Sequence, residues 1–389
     1  MTKQLEAYIT GVGQSEVGVR LTRSPLGLTM DAIKVAMADA GLTFDQIDGV
    51  ASYPGKSHGY LGFSPIGVDD VIESCGIEAR WHMGGGEIPA QLSAIAAAAD
   101  AVRAGHARHV ICFRTVYEAA AMSRPDEFPP PRRAEVDGLS QWTAPFFATS
   151  AACWVAQYAM RQMKRNGMTR EQLAQIALNA NRNALANPNA RAITKKPLTL
   201  DEYMDARLIT TPFCLYDCDR FTDCSTVVIV SAGDALDEVT ATPVRIAASA
   251  GSVHRYSWDQ PEYMASYATG PDLWAKTDYT AKDVDTVQFY DGFAFFPISW
   301  LEALGFCEVG EGHLFIEGGH RIARDGELPL NTGGGQLGAG RLHGFGFAYE
   351  AALQLRGDAG ERQIPGDPKV AVATSGGGPL AAALLLARD

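Results

Sequence analysis

Apolar residues recur along this chain in two rhythms. Short blocks rich in valine, isoleucine and alanine, bounded by glycine or polar residues, predict strands over residues 5–12, 47–52, 109–116, 227–231, 243–249 and 285–290. Stretches with apolar positions three or four apart predict helices over 29–40, 149–167, 293–304 and 344–356, with Gly41 and Gly357 placed to end two of them. Thr169 with Gln172, and Thr199 with Glu202, have the spacing of capping boxes and start two more helices. The helix predicted over 89–105 follows neither pattern. Pro89 suits its first turn and Gly105 its end, while Ala90, Ala94, Ala96, Ala97, Ala98, Ala99 and Ala101 put small residues on nearly every face. Such a helix belongs between two sheets, where backbones must come close. Residues 369–374 and 380–386, joined by Gly376-Gly377-Gly378, predict a closing hairpin.

The strand pattern restarts near residue 243. This predicts an α/β fold of two similar halves, residues 1–240 and 241–389, with a helical insertion over about 115–210 in the first. Residues 123–138 contain RPDEFPPPRR, whose four prolines and mixed charge predict an exposed loop. Loops that converge where strands end place a ligand crevice at the junction of the halves.

Composition narrows the picture. The chain has 389 residues, 47% of them hydrophobic, and a net charge of −12. That acidity argues against nucleic acid or an anionic membrane surface as partner, because phosphate binding needs a basic field. A local basic pocket for a phosphorylated ligand remains open. The seven cysteines are odd in number in a large chain, which predicts a reduced, cytoplasmic protein. Neither an apolar leader nor a run of the ~18 apolar residues needed to span a bilayer is present. Cys214, Cys218 and Cys224 cluster without a CxxC pair or a histidine, and the other histidines are scattered, so no metal site is expected. Gly11-Val12-Gly13 lacks the third glycine of a dinucleotide fingerprint and the lysine of a phosphate loop.

The candidate chemistry lies in residues 331–344, NTGGGQLGAGRLHG, a glycine-rich loop running into a helix with Arg341 and His343 at the junction. Glycine permits positive φ and close approach of backbone to a ligand. A helix start is also a place to hold an anion or a carbonyl oxygen.

Six segments together resemble the thiolase superfamily, specifically the sterol-carrier-protein-type thiolases and the related lipid-transfer-protein-like steroid aldolases. They are Ile9-Thr10-Gly11-Val12-Gly13, the 89–105 helix, FTDCST at 221–226, Phe289-Tyr290-Asp291-Gly292-Phe293, LPLNTGG at 328–334, and Thr374-Ser375-Gly376-Gly377-Gly378. The resemblance covers nearly the whole chain and implies a thiolase fold with layered αβαβα architecture and a CoA-thioester ligand. A thiolase needs a cysteine at the start of its buried central helix, where the dipole and nearby histidines lower its pKa. Residues 84–90, GGGEIPA, hold none. The family's Gly-His-Pro histidine falls on Arg341, its second cysteine on about Thr374, and its His-Asp/Glu-x-Phe histidine on Tyr290.

Both sulfurs are therefore missing, and the resemblance implies chemistry without a nucleophile: retro-aldol cleavage of a β-hydroxyacyl-CoA in steroid or sterol side-chain degradation. The steroid aldolases are similar in carrying a tyrosine where Tyr290-Asp291 stands and in a His-Gly pair like His343-Gly344. They also carry a tyrosine just before that pair, where this chain has Arg341. On this reading Tyr290 is a proton relay or acid, against a core aromatic. Asp291 is catalytic or caps the helix that follows it. His343 is a neutral base or a structural histidine. Arg341 pairs with a carboxylate, or stabilises an enolate or a CoA phosphate. Gly334, Gly335, Gly376 and Gly377 shape an oxyanion pocket through backbone N–H groups. Glu87, at the old nucleophile place, is a base or merely starts the helix. The resemblance further implies a homodimer core, a partner with an OB-fold and zinc ribbon in a heterotetramer, possible contact of that partner with the 123–138 loop, and no covalently bound cofactor. Two alternatives stay open: an acyltransferase using Ser93 or Cys112, and a non-catalytic lipid-binding subunit.

Overall fold

The computed structural model describes residues 6–57, 62–85, 90–124, 126–127, 136, 138, 140–254 and 262–389. Strands form at β1 (Ala7–Gln14), β2 (Gly49–Ser52), β3 (Trp81–Gly84), β4 (His109–Tyr117), β5 (Leu208–Thr210), β6 (Phe213–Cys214), β7 (Asp223–Ala232), β8 (Val244–Val253), β9 (Thr286–Gln288), β10 (Val370–Gly376) and β11 (Leu380–Ala387). Among the described residues nine of them make one sheet, in the order β3-β2-β4-β7-β1-β8-β11-β10-β9, while β5 and β6 pair apart. β1 pairs antiparallel with β7 along its length but meets β8 through only Tyr8↔Arg245 and Ile9↔Val244.

The period of two in the strands sorts their side chains into layers. Val110 and Cys112 of β4 join Val228 and Val230 of β7 on one face; Ile111 and Phe113 join Val227 and Ile229 on the other. That second face lies under the helix Pro25–Ala40, through Ala32, Ile33, Ala36 and Met37. Gly11 and Gly13 let this helix settle on β1, because a Cβ there would stand 2.6 Å from the Ala36 carbonyl oxygen and 2.2 Å from that of Ala32. The helix begins four residues before the expected Thr29, since Ser24 caps it and Pro25 takes its first position.

The alanine-rich helix is Ser93–Arg103; Pro89 and Glu87 lie outside the described residues. It packs with the helix His343–Arg356 in a layer enclosed by both ends of the sheet. Ala94, Ile95, Ala98, Phe345, Ala348 and Ala351 share one core with Ile9 and Val230 from one side and Ala373 and Leu384 from the other. The opposite face of β10 and β11 is covered by the helices Ser266–Trp274 and Phe295–Ala303. The result is the layered αβαβα arrangement. The second of these outer helices is buried all round, because Val155, Ala156 and Ala159 of the helix Ala151–Asn166 pack into the same core.

Between β4 and β7 run the helices Ala151–Asn166 and Arg170–Leu185, the second started by the Thr169–Gln172 capping box. Arg170–Leu185 holds the glycine-rich loop from outside. A Cβ on Gly338 would lie 2.4 Å from the Ala180 carbonyl oxygen, and one on Gly334 would lie 2.6 Å from Ala184 Cβ. Gly338→Ala therefore forces backbone apart and is expected to destabilise the protein by about 1–3 kcal/mol, read as a lower urea midpoint; an unchanged midpoint would refute the contact. The exposed loop expected over 123–138 lies largely outside the described residues. No helix among the described residues is long and apolar enough to cross a membrane.

Candidate active site

The strand expected over 285–290 stops at Gln288, and the reason builds the site. Asn331, at φ +51°, turns its side chain onto the backbone of Phe289, accepting its N–H at 2.7 Å and donating to its carbonyl at 2.9 Å. The ladder is thereby ended. Tyr290 N–H turns to Thr374 Oγ1 at 2.9 Å. The Tyr290 ring packs edge-on against Phe296 and Phe347, with centroids 5.7 and 6.2 Å away. Gly292 makes room for it, since a Cβ there would stand 2.8 Å from Tyr290 Cε1. The Gln336 side chain faces the phenol. Burial and then the Asp219 carboxylate raise the pKa of Tyr290 above its usual value, with Arg341 opposing. The hydroxyl therefore stays protonated at neutral pH.

Asp291 is completely buried and caps a helix, but not the one that follows it in sequence. Its Oδ1 accepts the Gln336 N–H at 2.7 Å, at the start of the short helix Gly335–Ala339. Burial pushes its carboxyl up to about 7, against the N–H groups of Gln336 and Leu337 and the Asn331 amide. A Cβ on Gly335, at φ +57°, would stand 2.0 Å from Asp291 Oδ2, so that position needs glycine twice over.

His343 is buried and takes φ +58°, a strained value for a histidine. Its backbone N–H donates to Gln336 Oε1 at 3.0 Å and its ring tilts against Phe63, 5.0 Å between centroids. Arg114 Nη2 stands 3.1 Å and Arg114 Nε 3.4 Å from its Nδ1. A guanidinium can only donate. Nδ1 is therefore the acceptor, and the ring proton sits on Nε2. Burial, with the charges of Arg114 and Arg341, drives the imidazole pKa well below its usual value. His343 is therefore a neutral imidazole whose Nδ1 is engaged by Arg114 and whose Nε2 carries the proton.

Arg341 is committed to carboxylates. Its Nε and Nη2 donate to Asp219 at 2.9 and 2.6 Å, its Nη1 reaches Glu118 Oε1 at 3.3 Å, and its guanidinium lies 4.3 Å from the Phe221 ring centre. Burial lowers its pKa, but Asp219 and Glu118 outweigh that and hold it above its ordinary value.

The four glycines serve first as turns and close contacts. Gly334 donates its N–H to Asn331 O at 2.8 Å, and Gly377 donates to Leu380 O at 2.8 Å. Gly376 takes φ +67° and Gly377 φ +145° to turn β10 into β11, and Trp300 Nε1 donates to Gly376 O. At the start of the central helix stand Ala90, at φ +60°, then Gln91, Leu92 and Ser93. Cys112 is buried in β4, with its thiol pKa raised by burial, and those of Cys218 and Cys224 are pushed up to about 12. No group of three or more histidine, cysteine, aspartate or glutamate side chains among the described residues could hold a metal ion.

Five side chains of this centre were not singled out in the sequence: Gln91, Arg114, Glu118, Asp219 and Gln336. Arg114 left a signal, the one arginine in the wholly buried strand β4. Four of the buried polar atoms that have no hydrogen-bond partner gather here: Gln91 Oε1, Glu118 Oε2, Asp291 Oδ2 and Gln336 Nε2. Buried polar atoms are nearly always partnered. Their concentration around Tyr290, His343 and Arg341 marks a place built for a polar ligand.

A family model described as "Thiolase C-terminal domain-like" matches residues 249–387. The chain is 30% identical to the steroid side-chain-cleaving aldolase of Thermomonospora curvata over 98% of both chains. It is also 30% identical to the 17-hydroxy-3-oxo-4-pregnene-20-carboxyl-CoA lyase of Mycobacterium tuberculosis, over 90% of this chain and 92% of that one. A solved structure described as "Ltp2-ChsH2(DUF35) aldolase" superposes with a TM-score of 0.85 at 28% identity, covering 99% of this chain and 98% of its own. Fold, sequence and the cysteine-free helix start agree: the chain belongs to the thiolase superfamily, in its sterol-carrier-type branch of side-chain-cleaving aldolases.

Proposed function

We propose that this protein is a carbon–carbon lyase that cleaves a β-hydroxyacyl-CoA thioester by a retro-aldol reaction, the acyl group being derived from a steroid or sterol side chain. The names of its full-length relatives support a lyase. The observation that carries the reaction type is the form in which the site holds its groups: donors and unpartnered polar atoms surround the centre, and no thiol stands at the central helix start.

Retro-aldol cleavage needs a base for the β-hydroxyl proton, a donor for the thioester oxygen as it gains charge, and an acid for Cα. His343, neutral with its proton on Nε2, suits the thioester oxygen, with the unpartnered Gln336 Nε2 beside it. Tyr290, kept protonated, suits the acid. Asp291 fixes the turn that carries Gln336, and Arg341 fixes the carboxylates behind Tyr290. An acyltransferase using Cys112 would need a thiolate there, and burial drives that thiol the other way.

The working assembly in this proposal is a cytoplasmic homodimer joined by an OB-fold, zinc-ribbon partner. The two joined names of the structural relative support a second protein. The test is incubation of the chain, alone and with that partner, with a β-hydroxyacyl-CoA steroid. A shorter acyl-CoA and a carbonyl product, with no acyl-enzyme in the mass spectrum, are expected. A trapped acyl-enzyme would replace the lyase with an acyltransferase.

A further inference from the structure

We propose that Glu118 is the general base of the cleavage, taking the proton from the β-hydroxyl of the thioester. The assignment rests on the retro-aldol reading and names the group that reading leaves unfilled.

The geometry leaves few other acceptors. His343 Nδ1 already accepts from Arg114, and its Nε2 carries a proton. The Tyr290 hydroxyl stays protonated. Asp219 has both oxygens on Arg341, at 2.6 and 2.9 Å. Asp291 spends Oδ1 on the Gln336 N–H, and its Oδ2 is walled by Gly335. Glu118, like Asp291, has one oxygen without a hydrogen-bond partner, but its other oxygen is held by a longer contact than the 2.7 Å bond on Asp291 Oδ1. It is 6% exposed, its carboxylate has among the described residues one hydrogen bond, a long 3.3 Å contact from Arg341 to Oε1, and Oε2 has no partner.

Its place in the fold is fixed by the elements around it. It follows directly on β4, with its N–H on Thr222 O at 3.3 Å. Four residues earlier on that strand Arg114 holds His343, and Arg341 holds Glu118 itself. The two arginines thus join the proton acceptor to the donor for the thioester oxygen. The charged groups facing Glu118 are Arg341 and Arg114, which lower its pKa, and Asp219, which raises it. Burial is the largest influence, and the net direction is upward, toward a stronger base than an ordinary carboxylate.

The step balances without a co-reactant. The β-hydroxyl proton passes to Glu118, and the oxygen pair forms the new carbonyl. The Cα–Cβ bond breaks, and its electrons form the enolate of the shortened thioester. Tyr290 protonates Cα, and the proton on Glu118 returns through solvent to the phenolate.

The test uses the chain with its partner, a β-hydroxyacyl-CoA steroid, and the variants Glu118→Ala and Glu118→Gln. Glu118→Ala should lower kcat/KM by ~100–10,000-fold, the scale of a lost general base. Added formate, a small carboxylate able to enter the emptied space, should restore activity in proportion to its concentration. The wild-type profile should fall as pH drops through the raised pKa of Glu118, and that acid limb should vanish in the formate-free alanine variant. If alanine prevents folding, the isosteric glutamine variant with a wild-type melting curve and a matching loss of rate supports the same role. Wild-type kcat/KM in either variant, or a loss that formate does not touch while the acid limb persists, overturns the assignment. A wild-type protein that cleaves no β-hydroxyacyl-CoA overturns the lyase reading itself and this proposal with it.

Discussion

Tyr290→Phe should lower kcat/KM for thioester cleavage by at least ~100-fold, the scale of a lost general acid. The substitution removes one oxygen and leaves the ring, so the edge-on contacts with Phe296 and Phe347 persist and the fold should melt as the wild type does. The loss should fall on kcat more than on KM, because the hydroxyl is needed where Cα becomes a carbanion and not for holding the thioester. The pH dependence follows from the direction of the phenol's shift. Burial and Asp219 raise its pKa above the usual ~10, so Tyr290 remains protonated through neutral pH and any alkaline loss it causes should begin above that value. Full activity in the phenylalanine variant, or an alkaline limb below pH ~9, would remove Tyr290 from the acid's role.

The same residue shows what the sequence could and could not tell. Its motif, FYDGF, marked Tyr290 as a candidate, and the apolar rhythm placed it at a strand end. The early termination of that strand was not legible. It depends on Asn331, 42 residues on, whose amide occupies the Phe289 backbone. The layers were legible because periodicity and alanine content depend on neighbours along the chain. The alanine content of the helix expected over 89–105 points to a place between sheets, and the core shows the observed helix Ser93–Arg103 there. Local spacing said little about the charged centre. Glu118, Asp219 and Arg341 meet across more than 200 residues of chain, and no rhythm links them. The sequence leaves His343 as either a neutral base or a structural histidine. Burial keeps its ring neutral, and the guanidinium of Arg114, on a strand 229 residues away, sets the tautomer. The glycine pattern points to an oxyanion pocket at Gly334, Gly335, Gly376 and Gly377, and says nothing of the close contacts that Gly334 and Gly338 make with Ala184 and Ala180. A glycine's reason lies in what approaches it, and that is a tertiary fact.

Removing Arg341 should produce the largest loss of stability of any substitution considered. The Asp219 and Glu118 side chains are 3% and 8% exposed, and Arg341 is the only cation within 4 Å of either among the described residues. Arg341→Met keeps the aliphatic length against Phe221 and takes away the charge. Two nearly buried carboxylates then face each other without their ion-pair partner, and among the described residues only the charge of Arg114, outside ion-pair distance, still opposes them. Breaking a buried pair from one side costs about 3–5 kcal/mol, and urea unfolding at neutral pH should show a loss of that size. The pH dependence carries the sign. Burial already raises the pKa of Glu118 above its unfolded value and Arg341 opposes that rise, so losing the arginine raises it further. The penalty is present while Glu118 is ionised and recedes as pH falls through the raised value, so the wild type and the variant should converge in acid. Adding Asp219→Asn should recover much of the loss, because the amide removes one of the two stranded charges. A deficit below about 1 kcal/mol in the single variant would place this cluster with exposed ion pairs of little weight. Arg341 would then be free to act on substrate, and its bidentate hold on Asp219 would no longer explain why an arginine stands at that position.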